Sequence, residues 1–486
     1  MIELTAAEIA EAVGGRLRGV EAPGKLMLTH AETDSRTMRP DALFIAKPGE
    51  VTDGHRFIDD ALAAGAALVL AERETEDPAG KSHPAIVVED VVLAMGLLAQ
   101  EIVTRIRRHS ATTVIGITGS AGKTTTKDLL AALLGPQGPT VAPQGSYNGE
   151  VGVPLTVFTA ELDTRYLIIE MGADAPGNIR ELCNMVRPDI GVVLMVGTAH
   201  AGKFGGADKI AETKGELAEL ASAHVILNAD DAQVAAMAQR AAAPVSWFGS
   251  VEAPSESYAV AAQQVRQRPD GRLELTLVFD HPDHQGRAEF RTVSGLIGGH
   301  HVTNLLAAAT AAYRAGVAPA DIAQRLAGLG PSSRWRMETT QIPWDGHEDA
   351  VTIVNDAYNA NPESMREALR TLAILMRDNQ RRGVAVLGPM LELGEDSVWL
   401  HHQIGETVVR LNIDLTLVVG EEAYALYRGA VAEGSWGAEV QWVATLDEAE
   451  AWLRTALRPG DIVLFKSSNS AGLRLLGDKF ATDGRN

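Results

Sequence analysis

Apolar residues along this chain come in blocks, and the period of the blocks changes from region to region. Short apolar runs at 42–46, 66–70 and 86–88, set apart by turn-forming Gly and Pro, predict a small mixed domain over residues 1–85. From 91 to 108 the apolar residues favour a helix, and its basic close at Arg105, Arg107 and Arg108 suits a helix C-terminus, so 86–110 reads as a connector. Strand-like runs at 113–117, 166–169, 191–196 and 225–227 then alternate with helical patterns, which predicts a largely parallel α/β sheet. Between 258 and 293 the pattern turns strand-rich, and Arg272-Leu-Glu-Leu-Thr-Leu-Val alternates polar with apolar, as an antiparallel extension would. An Ala-rich helix over 304–314 closes a central domain at 111–328. Further strands near 351–354, 384–387, 415–419 and 462–465 predict a Rossmann-like domain over 329–486. The fold class is therefore α/β in three domains.

Length agrees, since 486 residues suit about three domains. Charge narrows the function: 43 Lys plus Arg against 63 Asp plus Glu leave a net −20, which opposes a broad nucleic-acid or anionic-membrane surface. An anionic ligand needs a local cationic pocket. The single Cys183 excludes an internal disulfide. The N-terminus lacks a signal-peptide pattern, and the longest apolar stretch, 91–99, falls far short of the roughly 20 residues that span a bilayer, so a cytoplasmic protein without membrane insertion is expected.

The sharpest chemical feature is Gly116-Ile-Thr-Gly-Ser-Ala-Gly-Lys-Thr-Thr-Thr126, placed after an apolar strand and before Leu129, Leu130, Leu133 and Leu134 at helical spacing. Backbone N–H groups of such a loop, at a helix start, cradle phosphates; Lys123 adds a cation, and Thr124 or Thr125 can face Mg²⁺. The spacing is a variant, because Ile117 stands where the usual loop has its first glycine. Glu170, His200 and the group Asn228, Asp230, Asp231 each follow a predicted strand, where ligands of open α/β sheets gather. Each is also an ordinary loop or capping residue in its own right.

At these residues the chain resembles the Mur ligases, ATP-dependent amide-forming enzymes of peptidoglycan synthesis. Near the start, Thr33-Asp-Ser-Arg36, Leu43-Phe-Ile-Ala46, Asp53-Gly-His-Arg-Phe57 and Ala64-Gly-Ala66 resemble the family's uridine-nucleotide domain, which implies that Ser35 and Arg36 hold the UDP-linked substrate. The resemblance implies a central P-loop ATPase-like domain in which Gly119, Ser120, Ala121, Gly122, Lys123, Thr124 and Thr125 bind ATP. It likewise implies a Mg²⁺ site, with two ions, at Thr124, Glu170, His200 and a carbamylated Lys214, with Lys123, Lys214 and His200 catalytic. His301 and Asn304 in Gly299-His-His-Val-Thr-Asn304, Arg334 in Ser333-Arg-Trp-Arg-Met-Glu, and Asp356 would contact the nucleotide.

Asn355-Asp-Ala-Tyr-Asn-Ala-Asn-Pro-Glu-Ser-Met365 and Gly388-Pro-Met-Leu-Glu-Leu-Gly394 resemble the branch that adds D-alanyl-D-alanine. Asn148, Asn359 and Asn361 would then face UDP-N-acetylmuramoyl-tripeptide and D-alanyl-D-alanine in a monomeric enzyme, although 359–362 is equally a turn and helix start. Two stretches depart from the family pattern, Gly145-Ser-Tyr-Asn-Gly149 and Lys466-Ser-Ser-Asn469. The implied chemistry is an acyl phosphate made from ATP and captured by an amine. A sister ligase adding one amino acid, a phosphotransferase and a silent nucleotide-binding regulator are the alternatives.

Overall fold

The computed structural model describes residues 1–49, 52–197, 206–250, 258–280, 287–343, 347–434 and 439–483. Its strands form three principal sheets. The first has five strands in the order Arg16–Arg18, Ala85–Val87, Ala66–Ala71, Ala42–Ile45, His30–Glu32, all parallel except the first pair. Alternation puts Leu43, Ile45, Leu68, Leu70 and Ile86 on one face and Phe44, Val69, Ala71, Ala85 and Val87 on the other, so each face has its own core.

The helix Val91–His109 begins where Asp90 accepts a hydrogen bond from Leu93 N at 2.9 Å and ends on Arg107, Arg108 and His109. It buries Val91, Ala94, Met95, Leu98, Ala99, Ile102, Val103 and Ile106 in one cluster that runs from Ile2 to Leu217. The helix therefore joins the first and second domains through a shared core; each buried Leu or Ile contributes about 1.5–3 kcal/mol.

The second sheet has nine strands in the order Ala288–Ile297, Arg272–Phe279, Tyr258–Gln267, Val245–Ser250, His224–Asn228, Ile190–Val193, Thr113–Thr118, Tyr166–Glu170, Thr140–Val141. It is parallel from Thr140–Val141 to Tyr258–Gln267 and antiparallel across the last two pairings, as the strand-rich alternation predicts. The chain leaves Thr113–Thr118 towards one edge and later returns to its other side, which opens a crevice at the carboxyl end of that strand.

The third sheet runs Glu338–Ile342, Val351–Asn355, Ile462–Lys466, Gly383–Leu387, Leu415–Val419, Val440–Val443, parallel except for the antiparallel edge strand Glu338–Ile342. The segment entering it is held on both sides: Ser333 N donates to Asp128 Oδ2 at 3.0 Å and Met337 N to Asp356 Oδ1 at 3.1 Å. Trp335 and Met337 there take φ of +60° and +54°, a left-handed backbone that costs a side-chain-bearing residue about 1–2 kcal/mol and is sustained by these contacts. Among the described residues no helix is long and apolar enough to cross a membrane.

Candidate active site

The phosphate loop is built for a ligand by its backbone. Gly122 sits at φ +85° before the helix Lys123–Leu134, with no side-chain cap on the helix's first N–H groups. A Cβ on Gly122 would meet Asn304 Oδ1 at 2.2 Å, so the loop and the helix His301–Arg314 touch where only glycine fits. Ser120 fixes the loop from the other side: its N–H donates to Met195 O at 3.0 Å and its hydroxyl accepts from Gly197 N at 2.9 Å. Lys123 Nζ donates to Gly119 O at 2.7 Å. Burial lowers the Lys123 ammonium below its ordinary pKa; Glu170 opposes that shift and Arg336 adds to it.

Beside the loop lies a corner of oxygen donors. Glu170, 1% exposed at the end of its strand, accepts from Thr124 Oγ1 at 2.8 Å and from Asn148 Nδ2 at 2.9 Å. Thr124 Oγ1 is also 3.0 Å from Ser146 Oγ, and Arg336 Nη2 donates to both hydroxyls at 2.9 Å. The Arg336 guanidinium rests over the Tyr358 ring, 4.6 Å from its centroid. Lys214, on the helix Ala207–Leu220, is buried, and no hydrogen bond or ion pair holds its ammonium among the described residues. Burial, with Lys123 adding repulsion, lowers it to about 7.

All of this opens into one cavity of about 1190 Å³ between the second and third domains. The third domain contributes Asp356, Tyr358–Asn361, the helix face carrying Glu363, Arg366, Glu367 and Arg370, the 391–393 turn, and Lys466 with Ser468–Ser470. Lys466 Nζ donates to Asp356 Oδ2 and to Asn359 O, closing the carboxyl ends of two neighbouring strands. In a chain of net charge −20, six Lys and Arg side chains line this space among the described residues: Lys123, Lys214, Arg336, Arg366, Arg370 and Lys466. The arrangement suits a polyphosphate beside an oxygen-bound cation, with room for a second reactant.

Comparison with known proteins decides the family. Three family profiles match in succession: "Mur ligase family, catalytic domain" over 28–102, "Mur ligase middle domain" over 117–312 and "Mur ligase, glutamate ligase domain" over 335–469. The chain belongs to the Mur ligase family. A UDP-N-acetylmuramoyl-tripeptide--D-alanyl-D-alanine ligase of Mycobacterium tuberculosis is 43% identical to this Mur ligase over 99% of the chain and 98% of its own length. A crystal structure of MurF from Acinetobacter baumannii superposes with a TM-score of 0.82 at 28% identity, covering 99% of each chain. The MurF ligase of Thermotoga maritima, solved in complex with ADP, gives 0.74 at 28% identity over 94% of this chain and 98% of its own.

Within this Mur ligase the residues 119–125, Asn148, Glu170, Lys214, His301, Asn304, Asp356, Asn359 and Asn361 all line the cavity. Asn361 is also a structural cap: Oδ1 accepts from Ser364 N at 2.8 Å at the start of the helix Pro362–Asn379, so the turn-and-helix reading of this stretch holds as well. Asn228 and Asp231 are tied to the fold too, through Leu194 O and Val196 N.

Arg334 departs from the expectation. It leaves the cavity and pairs with Asp478 at 2.8 Å on the surface, while Arg336, two residues on and overlooked in the sequence, reaches the phosphate loop. Ser35 and Arg36 form a short turn in the first domain, Arg36 paired with Asp34 at 2.7 Å, and do not line this cavity. His200 lies outside the described residues.

Proposed function

We propose that this Mur ligase joins UDP-N-acetylmuramoyl-tripeptide to D-alanyl-D-alanine at the expense of ATP, making the UDP-linked pentapeptide precursor of peptidoglycan. The observation that carries the reading is the 43% identity with a ligase of that name over essentially both whole chains. A carboxylate oxygen of the tripeptide attacks the γ-phosphorus of ATP and ADP leaves. The dipeptide amine then attacks the acyl carbon, and phosphate leaves as the amine gives up a proton.

The chain's own part is positioning and charge. Loop N–H groups and Lys123 hold the phosphates, and Arg336 supplies a second cation beside Thr124. The third-domain wall brings the acceptor to the acyl carbon and keeps out water, which would hydrolyse the intermediate. The oxygen donors Glu170 and Thr124 fit Mg²⁺, which prefers one or two carboxylates plus phosphate oxygens; when bound it neutralises charge on the transferring phosphoryl group. Ser35 and Arg36 are assigned to the UDP moiety on the first domain, away from the ATP cavity.

A carbamate on Lys214 belongs to the same reading. A buried ammonium without a partner is costly, whereas its neutral amine can attack CO₂, lose a proton and become an anion with two oxygens facing the metal corner. A monomer at work in the cytoplasm, where ATP is at hand, completes the proposal. The test incubates the purified chain with ATP, Mg²⁺, UDP-N-acetylmuramoyl-tripeptide and D-alanyl-D-alanine and reads product mass. The pentapeptide nucleotide with ADP and phosphate is expected; addition of a single amino acid, or a stable phosphorylated product, refutes the reading.

A further inference from the structure

The guanidinium of Arg336 is anchored through one nitrogen. Nη2 carries two N–H groups and uses both, one on Thr124 Oγ1 and one on Ser146 Oγ, each at 2.9 Å, while the Tyr358 ring covers a face of the plane. Nε and Nη1 form no hydrogen bond among the described residues and are the donors left for a phosphate in the cavity that Arg336 lines. The two hydroxyls therefore set which edge of the guanidinium the cavity receives. They come from different elements. Thr124 belongs to the phosphate-loop helix, whereas half-buried Ser146 stands in Gly145-Ser-Tyr-Asn-Gly149, one of the two stretches that depart from the family pattern. Its loop is pinned on both sides of it: Pro143 O accepts from the buried Lys127 Nζ at 2.9 Å, and Asn148 O accepts from Gly172 N at 2.7 Å.

A count of hydrogens and lone pairs separates the two anchors. Thr124 has one hydroxyl hydrogen, donated to Glu170 Oε2 at 2.8 Å, and two lone pairs. Arg336 takes one of these, and Ser146 Oγ lies 3.0 Å from Thr124 Oγ1, so a hydrogen between the two hydroxyls is Ser146's own. Thr124 Oγ1 is then fully engaged. It is also, with Glu170, the oxygen that fits Mg²⁺. For Thr124 to give a lone pair to a cation, Ser146 has to turn its hydrogen away, and doing so leaves untouched the lone pair that Ser146 gives to Arg336. The bond from Arg336 to Thr124 fares worse, because an oxygen shared with a divalent cation is a poor acceptor for a second positive donor. Ser146 keeps its full strength as an acceptor.

We propose that Ser146 is the positioning residue that keeps Arg336 turned to the nucleotide phosphates while Thr124 serves the metal. The proposal rests on the ligase reading above, with Mg²⁺ at the corner of Thr124 and Glu170. It divides the work between two hydroxyls: without the cation either one holds Arg336, and with it Ser146 holds the guanidinium alone. Alanine at 146 keeps the backbone anchors of the loop and removes only the hydroxyl. A hydrogen bond from a charged donor is worth roughly tenfold or more in an equilibrium, and that sets the size of the effect.

The test measures by calorimetry the affinity for adenylyl imidodiphosphate, a non-hydrolysable ATP analogue, with Mg²⁺ and with a chelator. It uses the unaltered chain, Ser146→Ala, Ser146→Thr, and Arg336→Ala with and without Ser146→Ala, each checked by a thermal melt. Ser146→Ala should weaken the analogue about tenfold with Mg²⁺ and no more than about threefold with the chelator. Ser146→Thr, which keeps a hydroxyl, should stay within about threefold of the unaltered chain in both. On the Arg336→Ala background, loss of Ser146 should change affinity less than about twofold, because the group it positions is gone. In the ligase assay, Ser146→Ala should lower kcat/KM for ATP by about tenfold and leave KM for UDP-tripeptide within about threefold. The idea is overturned if Ser146→Ala binds the analogue normally with Mg²⁺, if the penalty is the same with and without Mg²⁺ or with and without Arg336, or if the UDP-tripeptide KM rises instead. Should Ser146→Ala fail to fold, Ser146→Cys, whose sulfur is a weak acceptor, takes its place with the same expectations. A chain that binds the analogue but ligates no D-alanyl-D-alanine would sink the ligase reading and this proposal together, a result distinct from ligation that is indifferent to Ser146.

Discussion

Arg334 and Arg336 are two residues apart and of one type, and replacing each by alanine should give opposite results. Arg336 makes two charge-assisted hydrogen bonds at 2.9 Å, to Thr124 and Ser146, and stacks on Tyr358. Losing a preorganised cation at a phosphoryl-transfer site costs about 3–4 kcal/mol of transition-state stabilisation, or on the order of a hundred- to a thousandfold in kcat/KM. Arg334 pairs with Asp478 while its side chain is 57% exposed, and such surface pairs contribute about 0–1 kcal/mol. Arg334→Ala should therefore keep activity within about threefold. The assay is phosphate release coupled to amide formation at saturating substrates and then at limiting ATP, with a thermal melt of each variant. If Arg334→Ala loses more activity than Arg336→Ala while both remain folded, the assignment of the phosphate-facing arginine is wrong.

Gly122→Ala forces a Cβ to 2.2 Å from Asn304 Oδ1 at a φ of +85°, so ATP turnover should vanish and the melting temperature fall, whereas Gly135→Ala, with open space around it, should change neither; equal melting curves for the two would refute the argument. Lys214 should carry a labile mass gain of about 44 Da, and Lys214→Ala should be crippled and partly rescued by short carboxylic acids; a near-normal, unmodified variant series would remove the carbamate. Burial holds the His401 pKa below its ordinary value, where Nε2 accepts from Met390 N at 2.9 Å and so fixes the turn lining the cavity. The unfolded chain then binds a proton that the folded one does not, so this stability is present above about pH 6.5 and is lost as pH falls through the lowered value. The melting temperature of His401→Gln should consequently depend less on acid than that of the unaltered chain, and parallel pH profiles would contradict this.

Local features of the site were legible because local chemistry determines them. An apolar strand, a glycine-rich loop and a helix with leucines at 129, 130, 133 and 134 specify the phosphate cradle within about twenty residues, and Glu170 follows from the rule that strand ends face the crevice. The parallel core and its antiparallel extension were readable from the change of hydrophobic period. The edge strand Glu338–Ile342 was not, since Glu-Thr-Thr-Gln-Ile carries a single large apolar residue and is specified by its partner Val351–Asn355.

The failure at Arg334 has a sharper cause. In a strand, residues two apart share a face, so Arg334 and Arg336 would be interchangeable neighbours; the left-handed turns at Trp335 and Met337 break that alternation and send the two arginines to different partners. Those turns are held by Asp128 and Asp356, one on each domain, so the direction of Arg336 is a property of the junction and of neither sequence segment alone. The same holds for Arg366. Its neighbours Glu363 and Glu367 suggest an ordinary solvated helix face of alternating charge, and only the packing of that helix over the Gly197 end of the crevice makes it the wall of a site. A reaction between two substrates needs groups from two domains, and the groups that join them are those a one-dimensional pattern is least able to orient.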